Sequence, residues 1–141
     1  MREVVHDLEH ELAELSRLVE RVEEWLTSDP TWNDVGTTFA ASQVHSFYGG
    51  VERCLLLLTD PQSKPRHSGG WHTDLLRALE HEDAFPYHDL RLLLAFRHFY
   101  RNSSAVFLDP IKVEVVVRTL ISCWPALSHW LWERLRGLRA P

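Results

Sequence analysis

The 141-residue chain has few cysteines, almost no lysine and no long apolar run. Its two cysteines, Cys54 and Cys123, form no Cys-x-x-Cys pair. They lie in Arg-Cys-Leu-Leu-Leu-Leu and Ile-Ser-Cys-Trp, where reduced core thiols are expected rather than a bridge. No apolar stretch approaches the roughly 20 residues of a membrane span, and Met-Arg-Glu-Val-Val-His-Asp breaks into charge too early for a signal peptide. A soluble, cytoplasmic protein is therefore expected. There is no glycine-rich phosphate loop, internal repeat or low-complexity tract. With 45% hydrophobic and 25% charged residues the chain is globular and not disordered, and its length suits one domain, residues 1–141.

The basic residues are unevenly chosen and unevenly placed. Only Lys64 and Lys112 are lysines, so thirteen of the fifteen basic side chains are arginine, which suits forked contacts with phosphate. A GC-rich genome would give the same bias. The formal charge of −5 arises between Met1 and Thr27, where eight acids face three arginines; the remainder is balanced. An acidic average argues against non-specific nucleic-acid binding.

Periodicity predicts five helices. Val4, Leu8, Leu12, Leu15, Val19, Val22 and Leu26 recur at threes and fours, giving a long amphipathic helix with an acidic outer face, closed by Thr27-Ser28-Asp29-Pro30. A second helix runs from a cap at Asn33 or Asp34 through Phe39, Val44, Phe47, Tyr48 and Val51 to Leu58. Its Gly49-Gly50 pair lowers helicity and offers another helix a close approach. Asp60–Gly70 is loop. A short helix spans Trp71 to about Glu82 with Leu75, Leu76 and Leu79 inward, and a fourth runs from about Tyr87 to Asn102. The last begins at Asp109-Pro110, a cap followed by proline at the first helical position, and Pro125 is expected to kink or break it. Trp130 and Trp132 cannot both face inward.

The segment Leu90–Asp109 places Arg91, Arg97, His98 and Arg101 on an apolar background, with no acid between Asp89 and Asp109. A positive site in an acidic chain points to an anionic ligand. In a continuous helix Arg97 and Arg101 share a side, whereas Asn102 lies roughly 140° around from Arg97. Arg97 and Asn102 serve one ligand only if the helix ends between them or a symmetry partner completes the site. The plain alternative is a helix terminus with an exposed arginine pair. His6 and His10 stand at i, i+4 with Asp7 between, a near miss to a zinc-protease motif that an acidic helix produces by coincidence. His72, opening a helix after Gly69-Gly70, either lines a pocket or caps and packs, with Trp71 as a core anchor.

Tyr48-Gly-Gly-Val-Glu52, Trp71-His-Thr-Asp-Leu-Leu76 and Phe96-Arg-His-Phe-Tyr-Arg-Asn-Ser-Ser-Ala-Val-Phe-Leu-Asp109 resemble successive landmarks of the HepT-like branch of the HEPN superfamily, with Trp124-Pro125 a fourth. The resemblance covers about Asn33 to Leu138. It implies an all-α HEPN-type bundle that forms a homodimer and acts as a metal-independent endoribonuclease toxin. No cofactor is implied. The expected partners are an RNA substrate and an MNT-type nucleotidyltransferase antitoxin, and Trp130 or Trp132 becomes a candidate for the dimer or antitoxin contact. The family signature is an arginine, four to six residues, a histidine and, two places later, a tyrosine that some antitoxins modify with AMP. The branch pattern Arg-His-Phe-Phe-Arg-His-Ala-Tyr falls on Arg97 to Ser104 without a gap.

Arg97, His98 and Arg101 match that pattern, but Asn102 stands at the histidine position and Ser104 at the tyrosine position. Attack of a 2′-hydroxyl needs proton transfer, and positioned acid–base catalysis contributes about 10²- to 10⁴-fold. Asparagine hydrogen-bonds but exchanges no proton near neutrality. Arg97, Arg101 and Arg91 remain candidates for the RNA phosphates. His98, seven residues from Arg91 on the same helix face, is a candidate replacement base. Two readings stay open: a ribonuclease toxin impaired at its motif, and a non-catalytic HEPN homologue that keeps dimerisation and binds a nucleotidyltransferase antitoxin.

Overall fold

A computed structural model describes residues 2–64, 69–102 and 108–141. Five α-helices occupy them: α1 (Arg2–Thr27), α2 (Asp34–Leu58), α3 (Trp71–Arg77), α4 (Tyr87–Asn102) and α5 (Pro110–Arg139), with one 3₁₀ turn at Pro61–Ser63. Among the described residues there is no strand. The fold is all-α, as the periodicity predicts, and is consistent with a HEPN-type bundle.

The three long helices α1, α2 and α5 pack on one another, α4 lies against α2 and α5, and α3 rests on α4. Leu8, Leu12, Leu15, Val19 and Val22 form the buried stripe of α1. The Asn33 side chain accepts the Gly36 N–H at 2.9 Å and so caps α2. A β-carbon on Gly50 would lie 2.7 Å from Leu15 Cδ2, so this glycine is where α1 comes close to α2. Asp109 accepts the Ile111 N–H at 3.0 Å, and Pro110 fills the first turn of α5.

Two expectations need correction. The last helix does not break at Pro125 but continues to Arg139. An internal proline removes one helical hydrogen bond and costs about 3 kcal/mol, yet Leu120 and Cys123 before it and Leu127, Trp130, Leu131 and Leu135 after it are buried along the same helix. Burial on both sides holds the two halves together. The third helix ends at Arg77 rather than near Glu82, with turns completing the segment. Helix α2 runs through Phe39 as expected, and that side chain is partly exposed, its ring 5.3 Å from Trp25.

All five helices contribute to one buried cluster. Cys54 and Cys123 are free thiols inside it, and burial pushes both up to about 12. Trp130 is buried and Trp132 is exposed. Among the described residues no helix is long and apolar enough to cross a membrane.

Candidate functional site

The inward stripe of α2 runs Val44, Phe47, Tyr48, Val51 and Leu55, and Glu52 falls on it. On α4 the stripe is Leu90, Leu93 and Leu94, and Arg97 takes the next inward position. Two opposite charges thus meet where α2 and α4 pack. Arg97 donates from Nη1 to Glu52 Oε1, and His72 Nδ1 lies 2.6 Å from Glu52 Oε2. A carboxylate accepts, so His72 carries its hydrogen on Nδ1 in this contact. Glu52 is only 4% exposed. A buried charge of this kind is tolerated when paired and hydrogen-bonded on both oxygens.

Each partner comes from a different element. Glu52 belongs to α2, His72 to the first turn of α3, and Arg97 to α4. Together with Gly49, Arg53, Trp71 and Arg101 they line an open pocket of about 390 Å³. The His72 ring stacks on Trp71 at 3.7 Å and meets His98 edge-on at 5.8 Å. Arg97 also sits 6.0 Å from the Tyr48 ring centre. Among the described residues no acid pairs with Arg101, whereas Arg53 is held by Glu11 at 2.9 Å. Arg101 is therefore the open guanidinium of the pocket.

His45, one turn before Tyr48, lies 5.3 Å from Tyr100 between ring centres. Burial, then the charges of Arg97 and Arg101, lower its pKa, so it stays neutral in more acid solution than a free histidine. Burial, with Glu52 beside it, raises the Tyr48 phenol.

The structure brings Arg97, Arg101 and His98 to one neighbourhood but does not bring Asn102 there. Helix α4 runs through Asn102, which is exposed, so the helix does not end between Arg97 and Asn102 and the two diverge by roughly 140°. Within one chain they cannot hold one ligand; only the symmetry-partner route is left. Arg91 is exposed, with its guanidinium 5.9 Å from the Tyr87 ring centre. Ser104 lies outside the described residues. His6 and His10 are both exposed on α1, and no group of three metal-ligating side chains occurs among the described residues.

Glu52 was not among the expected site residues, and the sequence did carry a signal for it. An acid at the i, i+3, i+4, i+7 spacing of an apolar stripe must find a cation inside. His72 was weighed as a pocket or packing residue, and it does both.

An all-α bundle with arginines gathered at the C-terminal half of α4 defines the class of protein. Residues 39–134 match the model of a family described as HepT-like protein; this is more than half of the chain, and the chain belongs to that HEPN-type family. Comparison with curated proteins gives no match, nor does comparison with solved structures.

Proposed function

We propose that this chain is a HEPN-type endoribonuclease toxin of a bacterial toxin–antitoxin pair, a single-domain cytoplasmic protein working as a homodimer on RNA. The observation that carries the reading is the pocket where Arg97, Arg101 and His72 meet, in a chain of the HepT-like family. Arg101 is the proposed contact for an RNA phosphate, with Arg97 bound to Glu52 in the same pocket. The motif position Asn102 supplies hydrogen bonds without proton transfer, so turnover through that position is impaired. An MNT-type nucleotidyltransferase is the proposed antitoxin, and with Ser104 at the tyrosine position AMP transfer there has lost its usual acceptor.

The dimer is assigned to the groove between α4 and α5. Leu92, Phe99, Ile111 and Val115 line it and account for four of the seven large apolar side chains exposed among the described residues. Asn102 follows Phe99 by three residues, about one turn, so it adjoins that face. A second copy seated there would meet Asn102 from its partner side, the arrangement that the divergence from Arg97 requires.

A second reading is favoured by Asn102 itself together with the Glu52–Arg97 pair: a non-catalytic homologue that binds and regulates. The test is RNA binding and cleavage in chelator, comparing the protein, its Asn102→His/Ser104→Tyr variant and each of these with Arg101→Ala. Cleavage by either parent that falls at least tenfold with Arg101→Ala supports the ribonuclease. RNA binding without cleavage by either supports the second reading. If neither binds nor cuts, both RNA readings fail.

A further inference from the structure

The pocket holds a second route to proton transfer that does not use Asn102. Glu52 fixes the His72 tautomer through Nδ1, and a histidine held in this way presents Nε2 as its reactive nitrogen. Among the described residues nothing bonds to Nε2. Stacking on Trp71 at 3.7 Å limits ring rotation. His98 stands edge-on at 5.8 Å, and Arg101 opens on the same space. An oriented imidazole, a facing imidazole and a guanidinium without an acid partner among the described residues can supply the base, the acid and the charge stabilisation for transfer of a phosphodiester between hydroxyls.

Resting on the ribonuclease reading, we propose that His72, positioned by Glu52, is the general base and His98 the general acid of RNA cleavage in this chain. His72 Nε2 takes the proton of a ribose 2′-hydroxyl. The 2′-oxygen then bonds to phosphorus as the bond from phosphorus to the 5′-oxygen breaks, and the His98 imidazolium gives its proton to that 5′-oxygen. The products are a 2′,3′-cyclic phosphate and a 5′-hydroxyl. Arg101 holds the non-bridging oxygens. The titratable and charged groups facing His72 are Glu52 and Arg53 from α2 and Arg97, His98 and Arg101 from α4.

The decisive experiment measures rate against pH in chelator, with product ends identified, for the protein and for His72→Gln, His98→Gln, Glu52→Gln, His129→Gln and Asn102→His. Glutamine at position 72 can still donate to Glu52 but exchanges no proton, which separates chemistry from folding. The protein is expected to cut with a bell-shaped profile. His72→Gln should lose about 100-fold or more and flatten the acidic limb, and His98→Gln should flatten the alkaline limb. Glu52→Gln should lower the rate, since the amide no longer fixes the His72 tautomer through Nδ1. His129, exposed on α5, serves as the control and should leave the rate unchanged. Cleavage that survives His72→Gln overturns the inference and leaves the ribonuclease standing. A silent protein whose Asn102→His variant cuts also overturns it, because His72 has then replaced nothing. If no variant cuts and none binds RNA, the ribonuclease reading itself falls.

Discussion

Glu52 carries a charge to the edge of the core, and Arg97 and His72 are what make that tolerable. Removing one partner of a buried pair leaves the other uncompensated and costs about 3–5 kcal/mol, whereas replacing both by apolar groups is often neutral. Arg97→Ala is accordingly expected to lower stability by about 3 kcal/mol in denaturant unfolding, the lower end of that range, because His72 still holds Glu52. The double variant Arg97→Met/Glu52→Leu should recover most of that loss. If the single variant unfolds like the parent, the pair is not a structural node. The same reasoning makes Arg101, exposed and without an acid partner, the cleaner probe of RNA contact. Arg97 stood out in the sequence from the run of cations around it. Its partner was harder to see, because an alignment of stripes on two helices is needed before Glu52 and Arg97 are seen to face each other.

Helix starts were the most legible feature, and for local reasons. Asn33 caps α2 through its own side chain, and Asp109-Pro110 starts α5, so short-range hydrogen bonding decides both ends. Pro125 misled because a local penalty was weighed without the tertiary burial on either side of it. Gly49 and Gly50 look alike in sequence and differ in the fold. A β-carbon at Gly49 would meet only Arg53 Nη1 at 3.6 Å, whereas at Gly50 it would reach buried Leu15. Gly49→Ala should therefore gain stability, up to about 1 kcal/mol from helix propensity alone. At Gly50 the same gain is opposed by overpacking of about 1–3 kcal/mol, so Gly50→Ala should be destabilising or at best neutral. Paired thermal melts decide it: equal shifts in the two variants would mean that α1 does not approach α2 closely at Gly50.

At the scale of the whole molecule, charge and apolar surface are segregated. The outer face of α1 is acidic, while the groove between α4 and α5 exposes Leu92, Phe99, Ile111 and Val115. Monomeric proteins rarely leave large contiguous apolar patches uncovered. The groove was not legible in the sequence, because Leu92 and Val115 sit in apolar runs whose inward and outward members separate only once α4 and α5 are placed. If a second copy covers the groove, a carboxylate at its centre would be buried without a partner in the dimer but solvated in the monomer. Phe99→Glu and Ile111→Glu are thus expected to convert a dimer to a monomer in sedimentation equilibrium without lowering the unfolding temperature of the monomer. Val35→Glu, equally exposed in kind but at the start of α2, should leave association unchanged. A parent protein that sediments as a monomer at high concentration would remove the second copy as occupant. The groove would then fall to the antitoxin, and a site built across two subunits would be lost with it, leaving the His72 pocket as the chemistry that a single chain assembles among the described residues.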